Sequence, residues 1–362
     1  MESPKQRRYL SEYSRRVWIA AGVAVAVLAL LMLLWSSFEI LLIGFAGLLL
    51  ALFFSLPANW LCRHSFLSQR WSLLVVLTIS AGLLAAFSLN FALSISQEFA
   101  QLSKVLPGAL EGLEQWLHGW PFGSQIIEQI EQSQPMQRIF DNWSARVSLL
   151  FTTTFGMLFN VIVILFIGLF VAFEPALYRA GLIRLVAPSR RGGAVDLLEA
   201  IGRKMTWWLV GRLVSMTTVG LLAGSGLWLL GIPMALSLGL LAGLLSFIPY
   251  LGPILGAVPA LLVAFTQDAT AMLHVGLLYT AVQILESYLV TPLVQREAVS
   301  IPPALLLIVQ VWLGLFAGLM GLLLAEPLIV LSMVMIQRLY VQGWLERNDS
   351  PSEQAAGEAD GQ

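Results

Sequence analysis

Apolar residues run along most of this chain without interruption for at least the ~20 positions that a bilayer-crossing helix needs. The first run extends from Val17 to Trp35, and a second starts after the break at Ser36–Glu39 and reaches about Leu56. A third covers Trp71 to Ala92, a fourth Val147 to Phe173 and a fifth Thr206 to Leu230. Between the third and fourth the pattern changes. "QEFAQLSKVLPGALEGLEQWLHGWPF" and "GSQIIEQIEQSQPMQRIFDNW" place apolar residues three and four apart, which predicts helices, but ones too polar to span. Trp116, Trp120, Phe122 and Trp143 suit amphipathic helices at the membrane surface, where aromatic rings prefer to lie, or a small external cap held against the bundle.

Beyond Leu230 the runs become too long for upright helices. Pro233 to Phe265 and Pro302 to Tyr340 both far exceed the ~20 residues of an upright span, so each must fold back or tilt strongly. The first carries "SFIPYLGPILGAVPA" from Ser246, with three prolines and two glycines; the second carries "GLFAGLMG" and then "AEP". Proline lacks a backbone donor and glycine lets the chain bend, so each segment reads as two half-helices around an irregular turn. Irregular backbone at membrane depth is tolerated only inside protein or beside a watery cavity, as at transporter substrate sites, although a tightly packed kink has the same signature. "GIPMAL" at Gly231 recurs as "SIPPAL" at Ser300, and the later proline Pro259 recurs as Pro327 at the same offset to within one residue. An ordinary span precedes each, Thr206 to Leu230 and Met272 to Thr291. The arrangement predicts an internal repeat, 206–265 and 272–340, with inverted topology if the hairpins enter from opposite sides.

Composition agrees with a membrane protein. Of all residues 58% are hydrophobic and 11% are charged, and mean hydropathy is +0.82. A net charge of −1 offers no surface for nucleic acid. Cys62 alone excludes an internal disulfide, and His64, His118 and His274 lack ligand spacing, so neither metal nor cofactor is expected. No G-x-S-x-G or G-x-x-x-x-G-K-[ST] motif points to a hydrolase or an ATP-driven pump.

Charge sets the orientation. Lys5, Arg7, Arg8, Arg15 and Arg16 precede the first run, which is read as a retained span and not a signal peptide. The positive-inside rule then makes the N-terminus and the Arg63/Arg70 loop cytoplasmic. The same rule places a loop holding Arg179, Arg184, Arg190, Arg191, Arg203, Lys204 and Arg212 inside, and the helical insert outside. The predicted organisation is therefore three spans in 1–93, an extracytoplasmic insert in 94–146, a fourth span and basic loop in 147–205, a transport core in 206–340 and an acidic cytoplasmic tail in 341–362.

The stretch "GIPMALSLGLLAGLLSFIPYLGPILGAVPALLVAF", followed in order by "VQILESYLVTPLVQREAVSIPPALLLI" and "GLFAGLMGLLLAEPL", resembles the autoinducer-2 exporter family of bacterial permeases. The resemblance covers essentially the whole chain, with specific motifs from about Gly231 to Pro327. It implies a multi-pass inner-membrane transporter with about eight hydrophobic segments, which with the two broken or re-entrant hairpins read above makes the expected fold an all-α membrane protein. It further implies a homo-oligomer that moves a small solute, such as a furanosyl signalling molecule, or exchanges sodium for protons. A non-transporting scaffold is the alternative of another class. Glu326 departs from the apolar residue that the family carries before that proline.

Charged groups inside apolar spans are the sharpest functional clue, because each costs ~2.5 to 3.5 kcal/mol at a helix centre on insertion scales. Thr280, Gln283, Glu286, Ser287 and Thr291 line one face of the penultimate span, with Glu286 matching the family's glutamate in "QILE". Glu286 reads either as a pathway carboxylate that binds a proton or cation, or as a packing hydrogen bond. Glu326 either shares its cavity or reaches water at a half-helix end. Gln310 reads as an interhelical hydrogen-bond partner. The candidate pathway is thus Gln283, Glu286, Ser287 and Pro292 on the span, Ser246, Pro249, Gly252 and Pro253 at the first break, and Glu326 at the second.

Overall fold

The fold is described from a computed structural model, for residues 32, 37–118, 154–294 and 301–345. The predicted first span, the insert beyond residue 118, the start of the fourth span, residues 295–300 and the tail from 346 lie outside them. All regular structure among the described residues is helical. Among the described residues five helices are long and apolar enough to cross a membrane, or six counting one bent pair. Large apolar side chains such as Phe159, Phe166 and Phe170 lie on the outside of the bundle. That surface fits lipid and not water.

Helix α1 (Phe38–His64) and α2 (Gln69–His118) follow one another across a short turn. At 50 residues α2 is far longer than a bilayer core is thick, and the helix continues without a break past the expected end of the third span near Ala92. Helix α3 (Thr154–Phe173) packs on α1, where Gly47 and Gly168 let Ile167 and Leu50 come close. It is followed at an 87° bend by α4 (Pro175–Arg184). Pro175 forces the bend, because a residue before proline is disfavoured in helical geometry. Glu174 accordingly takes φ −132°, ψ 57°.

The long α5 (Arg191–Leu229) is the axis of the bundle. Met205, Trp208 and Leu209 pack against Leu42 and Leu49 of α1, and farther along Gly220 and Gly224 meet the next helix backbone to backbone. Most of the basic segment expected as a loop is helical. Arg179 and Arg184 lie in α4 and Arg191, Arg203, Lys204 and Arg212 in α5.

Two hairpins follow, separated by α8 (Ala269–Leu285). The first consists of α6 (Ala235–Leu245) and α7 (Leu251–Phe265). Each of these two helices is too short to cross a bilayer alone. The chain reverses through Ser246–Tyr250, where Tyr250 has φ 61°. Gly252 then passes so near Leu245 that a Cβ on it would overlap the Leu245 carbonyl oxygen.

The second hairpin follows a π-helical turn (Glu286–Val290) and the short α9 (Thr291–Val294). It is α10 (Pro303–Met335), continued by a π-helical stretch to Leu345. By length alone α10 would count as one span, but Gly318 has φ 57°, ψ −138°. In a straight helix Leu313 and Gly321 would stand about 12 Å apart along the axis. Instead a Cβ on Gly321 would overlap the Leu313 carbonyl oxygen, so the chain doubles back at Gly318. The positive-φ residues at the two tips, Tyr250 and Gly318, and the two crossing glycines, Gly252 and Gly321, are offset as the sequence repeat is, to within one residue. The reversal falls within "GLFAGLMG", whereas "AEP" lies inside the returning arm.

Candidate functional site

One face of α5 carries two polar side chains, Arg212 and Ser215, three residues apart and so one above the other. Each reaches a different carboxylate. Arg212 is buried, 6% exposed, and its Nη2 is ion-paired with Glu326 Oε2 on the returning arm of α10, where Glu326 is 7% exposed. Water is therefore not the partner of Glu326. The other terminal nitrogen, Nη1, donates to the Ser246 carbonyl at 3.1 Å, at the tip of the first hairpin. Gln310, fully buried on the outgoing arm of α10, donates to the Pro249 carbonyl of the same tip at 3.3 Å. Two carbonyls of the break at residues 246–250 thus receive donors from α5 and from the second hairpin, that of Pro249 in addition to the Leu251 N–H at 2.7 Å. Arg212 Nε and Gln310 Oε1 are buried beside them without a hydrogen-bond partner.

Ser215 Oγ donates to Glu286 Oε1 at 2.6 Å, and Thr291 Oγ1 to the same oxygen at 3.1 Å. Gln283 Nε2 and Ser287 Oγ donate to Oε2 at 3.2 and 3.3 Å, and Gln283 also donates to Ser287 at 3.1 Å. The backbone explains how Thr291 arrives. Pro292 cannot donate to the carbonyl a turn before it, and its ring presses on that turn, so the helix opens into a π turn at Glu286–Val290. A π turn stacks residue i over i+5, which sets Thr291 over Glu286. Thr280, by contrast, turns its hydroxyl back to the Gly276 carbonyl of its own helix.

The two carboxylates differ in charge balance. Glu326 faces a guanidinium in a low-dielectric interior. Glu286 is held by four neutral donors and, among the described residues, has no cation at ion-pair distance. Each donor takes up part of the charge of Glu286 and none cancels it.

The structure therefore brings Gln283, Glu286 and Ser287 together directly, with Pro292 shaping their turn. Ser246 and Pro249 contribute carbonyls, and the Ser246 hydroxyl is spent on Gly243 of its own helix at 2.7 Å. Gly252 is at the tight crossing of the hairpin, and Pro253 occupies the first turn of α7, where its missing N–H has no helical partner to lose. Arg212 and Ser215 are the residues that sequence reasoning missed. Arg212 was counted with the basic loop, yet it follows "WWLVG" inside a predicted span, and a lone cation there calls for a buried carboxylate. Among the described residues no group of three His, Cys, Asp or Glu side chains could hold a metal ion.

The profile described as AI-2E family transporter matches residues 24–340. YueF of Bacillus subtilis, a candidate transport protein, is 23% identical over 301 residues, covering 78% of this chain and 81% of its own. PerM of Escherichia coli K12, a candidate permease, is 24% identical over 321 residues, 84% of this chain and 90% of its own. YrrI of Bacillus subtilis, another candidate transport protein, is 32% identical over a shorter stretch of 147 residues, 41% of each chain.

Proposed function

The chain belongs to the AI-2E family of transporters, and on that premise we propose that it is an inner-membrane permease that exports a small solute using an ion gradient, with Glu286 as the ionisable group of the pathway. The observation that carries the reading is a carboxylate that no cation among the described residues neutralises. A proton or cation that visits Glu286 meets a site already ordered by Ser215, Gln283, Ser287 and Thr291, and among the described residues it finds no cation to displace. Arg212 and Glu326, which neutralise each other, hold the two hairpins in register beside it. The apolar run at Val17–Trp35 together with α1, α2, α3, α5, α8 and the two hairpins makes eight hydrophobic segments. In this reading the hairpins re-enter from opposite faces, the insert lies outside, both termini are cytoplasmic and the protein works as a homo-oligomer.

A second reading, exchange of sodium for protons, is favoured by the chemistry of the same shell. Three hydroxyls, a carboxamide and a carboxylate supply only hard oxygen ligands once the donors rotate. The two readings separate in proteoliposomes. An exporter collapses an imposed proton or sodium gradient only when a transported solute is supplied from a panel of small metabolites, whereas an exchanger collapses a sodium gradient against protons with no solute present. Absence of gradient-dependent flux under both conditions would refute coupling altogether.

A further inference from the structure

The 87° bend after α3 sets α4 across the end of a membrane-crossing helix, so α4 runs along the membrane surface and not through it. No residue of α4 is buried. Tyr178, Leu182 and Leu185 follow at the spacing of four and three residues that makes one stripe, and they are 43%, 53% and 84% exposed. At about 100° per residue Arg179 lies roughly 100° to one side of Tyr178 and Arg184 roughly 120° to the other, so the stripe runs between two arginines. The helix is fixed to the bundle away from the stripe, where Arg179 pairs with Glu199 of α5.

A second observation falls at the same end of the bundle. Arg70 at the start of α2 pairs with Glu174, the residue before α4, at 3.2 Å, so the turn between α1 and α2 lies beside the bend. That turn exposes Phe66, and Trp60 and Trp71 are exposed on either side of it. Such rings collect at the boundary between headgroups and acyl chains. Charge adds a third observation. From Glu174 to Arg191 the chain holds four arginines and one carboxylate. Arg179 is engaged by Glu199, and Arg191 Nε donates to the Val186 carbonyl at 3.3 Å. Among the described residues Arg184 and Arg190 enter no ion pair. A surface helix with arginines beside an apolar stripe binds by sinking the stripe into the headgroup boundary and by attraction to anionic lipid.

We propose that α4 and the turn up to Arg191 form a docking surface for anionic phospholipid, with Tyr178, Leu182 and Leu185 among the first acyl carbons and Arg184 and Arg190 against the headgroup phosphates. In the orientation proposed above, this lipid belongs to the cytoplasmic leaflet. A second copy of the chain fits the surface less well, because two copies meeting through this stripe bring their arginines together, whereas anionic headgroups complement them.

The test reads lipid contact and not flux, so its failure is separable from failure of the transport reading. The full-length protein in a Cys62→Ser background carries a fluorophore at Leu182→Cys, in the stripe, or at Ala180→Cys, an exposed position roughly 200° around the helix from Tyr178. It is placed in nanodiscs of phosphatidylcholine in which a fixed minor fraction of the lipid is phosphatidylglycerol or phosphatidylcholine spin-labelled near the glycerol. Quenching at 182 exceeds quenching at 180, and at 182 the phosphatidylglycerol probe quenches several-fold more than the phosphatidylcholine probe. Arg184→Gln with Arg190→Gln, both exposed positions, removes the difference between the probes and leaves quenching by phosphatidylcholine unchanged, whereas Arg184→Lys with Arg190→Lys keeps the difference. Equal quenching of 182 by the two probes overturns the proposal, as does a difference that survives the glutamine variant. Quenching at 182 no greater than at 180 overturns it as well, and shows that a second copy or another protein covers the stripe.

Discussion

Arg212 is the kind of residue a membrane interior excludes unless its charge is answered. Its guanidinium has two answers, Glu326 and the Ser246 carbonyl, which belong to different hairpins. Breaking a buried pair by removing one partner costs about 3 to 5 kcal/mol, because it strands the other charge. Glu326→Gln is therefore expected to lower the thermal stability of the purified protein markedly. Arg212→Met together with Glu326→Leu, which removes both charges, should recover most of the loss. Equal instability of the single and double variants would show that the pair does more than neutralise itself. The contacts of Gln283, Ser287 and Thr291 with Glu286 were legible from spacing, because all three lie on its own helix. The partner of Glu326 was not, because it comes from a distant helix, earlier in the chain, and spacing carries no information over that separation.

At the level of elements, the two hairpins depend on glycines at which backbone meets backbone. Gly252→Ala would drive a methyl group into the Leu245 carbonyl oxygen and Gly321→Ala one into that of Leu313, and neither obstacle is a flexible side chain. Each substitution should open its hairpin and lower folding yield sharply, as measured by the monodisperse fraction in detergent. Gly44→Ala in α1, where nothing lies within 4 Å, should leave the yield unchanged. The breakers made both hairpins readable in the sequence, and the repeated Ile-Pro-x-Ala-Leu marked their common design. The position of the second reversal was only half readable. Gly318 reverses the chain, whereas Pro327 sits inside a helix among buried neighbours. The continuity of α2 was hidden for a different reason: the composition turns polar near residue 93, but polarity alone does not end a helix.

For the whole molecule, an inverted repeat requires the two hairpins to enter from opposite faces, and this is open to direct test. In a Cys62→Ser background, a cysteine at Asp268, the residue that caps α8, should react with an impermeant thiol reagent from outside, and one at Ser300 should not. The reverse pattern would replace the inverted hairpins with plain spans. Topology supplies the two-sided frame, but the central claim concerns the charge within it. Glutamine at position 286 keeps the shape and can still accept from Ser215 and Thr291, yet it cannot bind a proton or balance a cation. The decisive measurement is gradient-driven flux through Glu286→Gln in proteoliposomes, with a trapped pH-sensitive dye as the readout and Glu326→Gln alongside. The account predicts a protein that assembles like the wild type and loses gradient-driven flux, with any residual rate insensitive to pH. Full, normally pH-dependent flux through Glu286→Gln would contradict it, and loss confined to a Glu326→Gln protein that assembles like the wild type would move the coupling charge to the second hairpin.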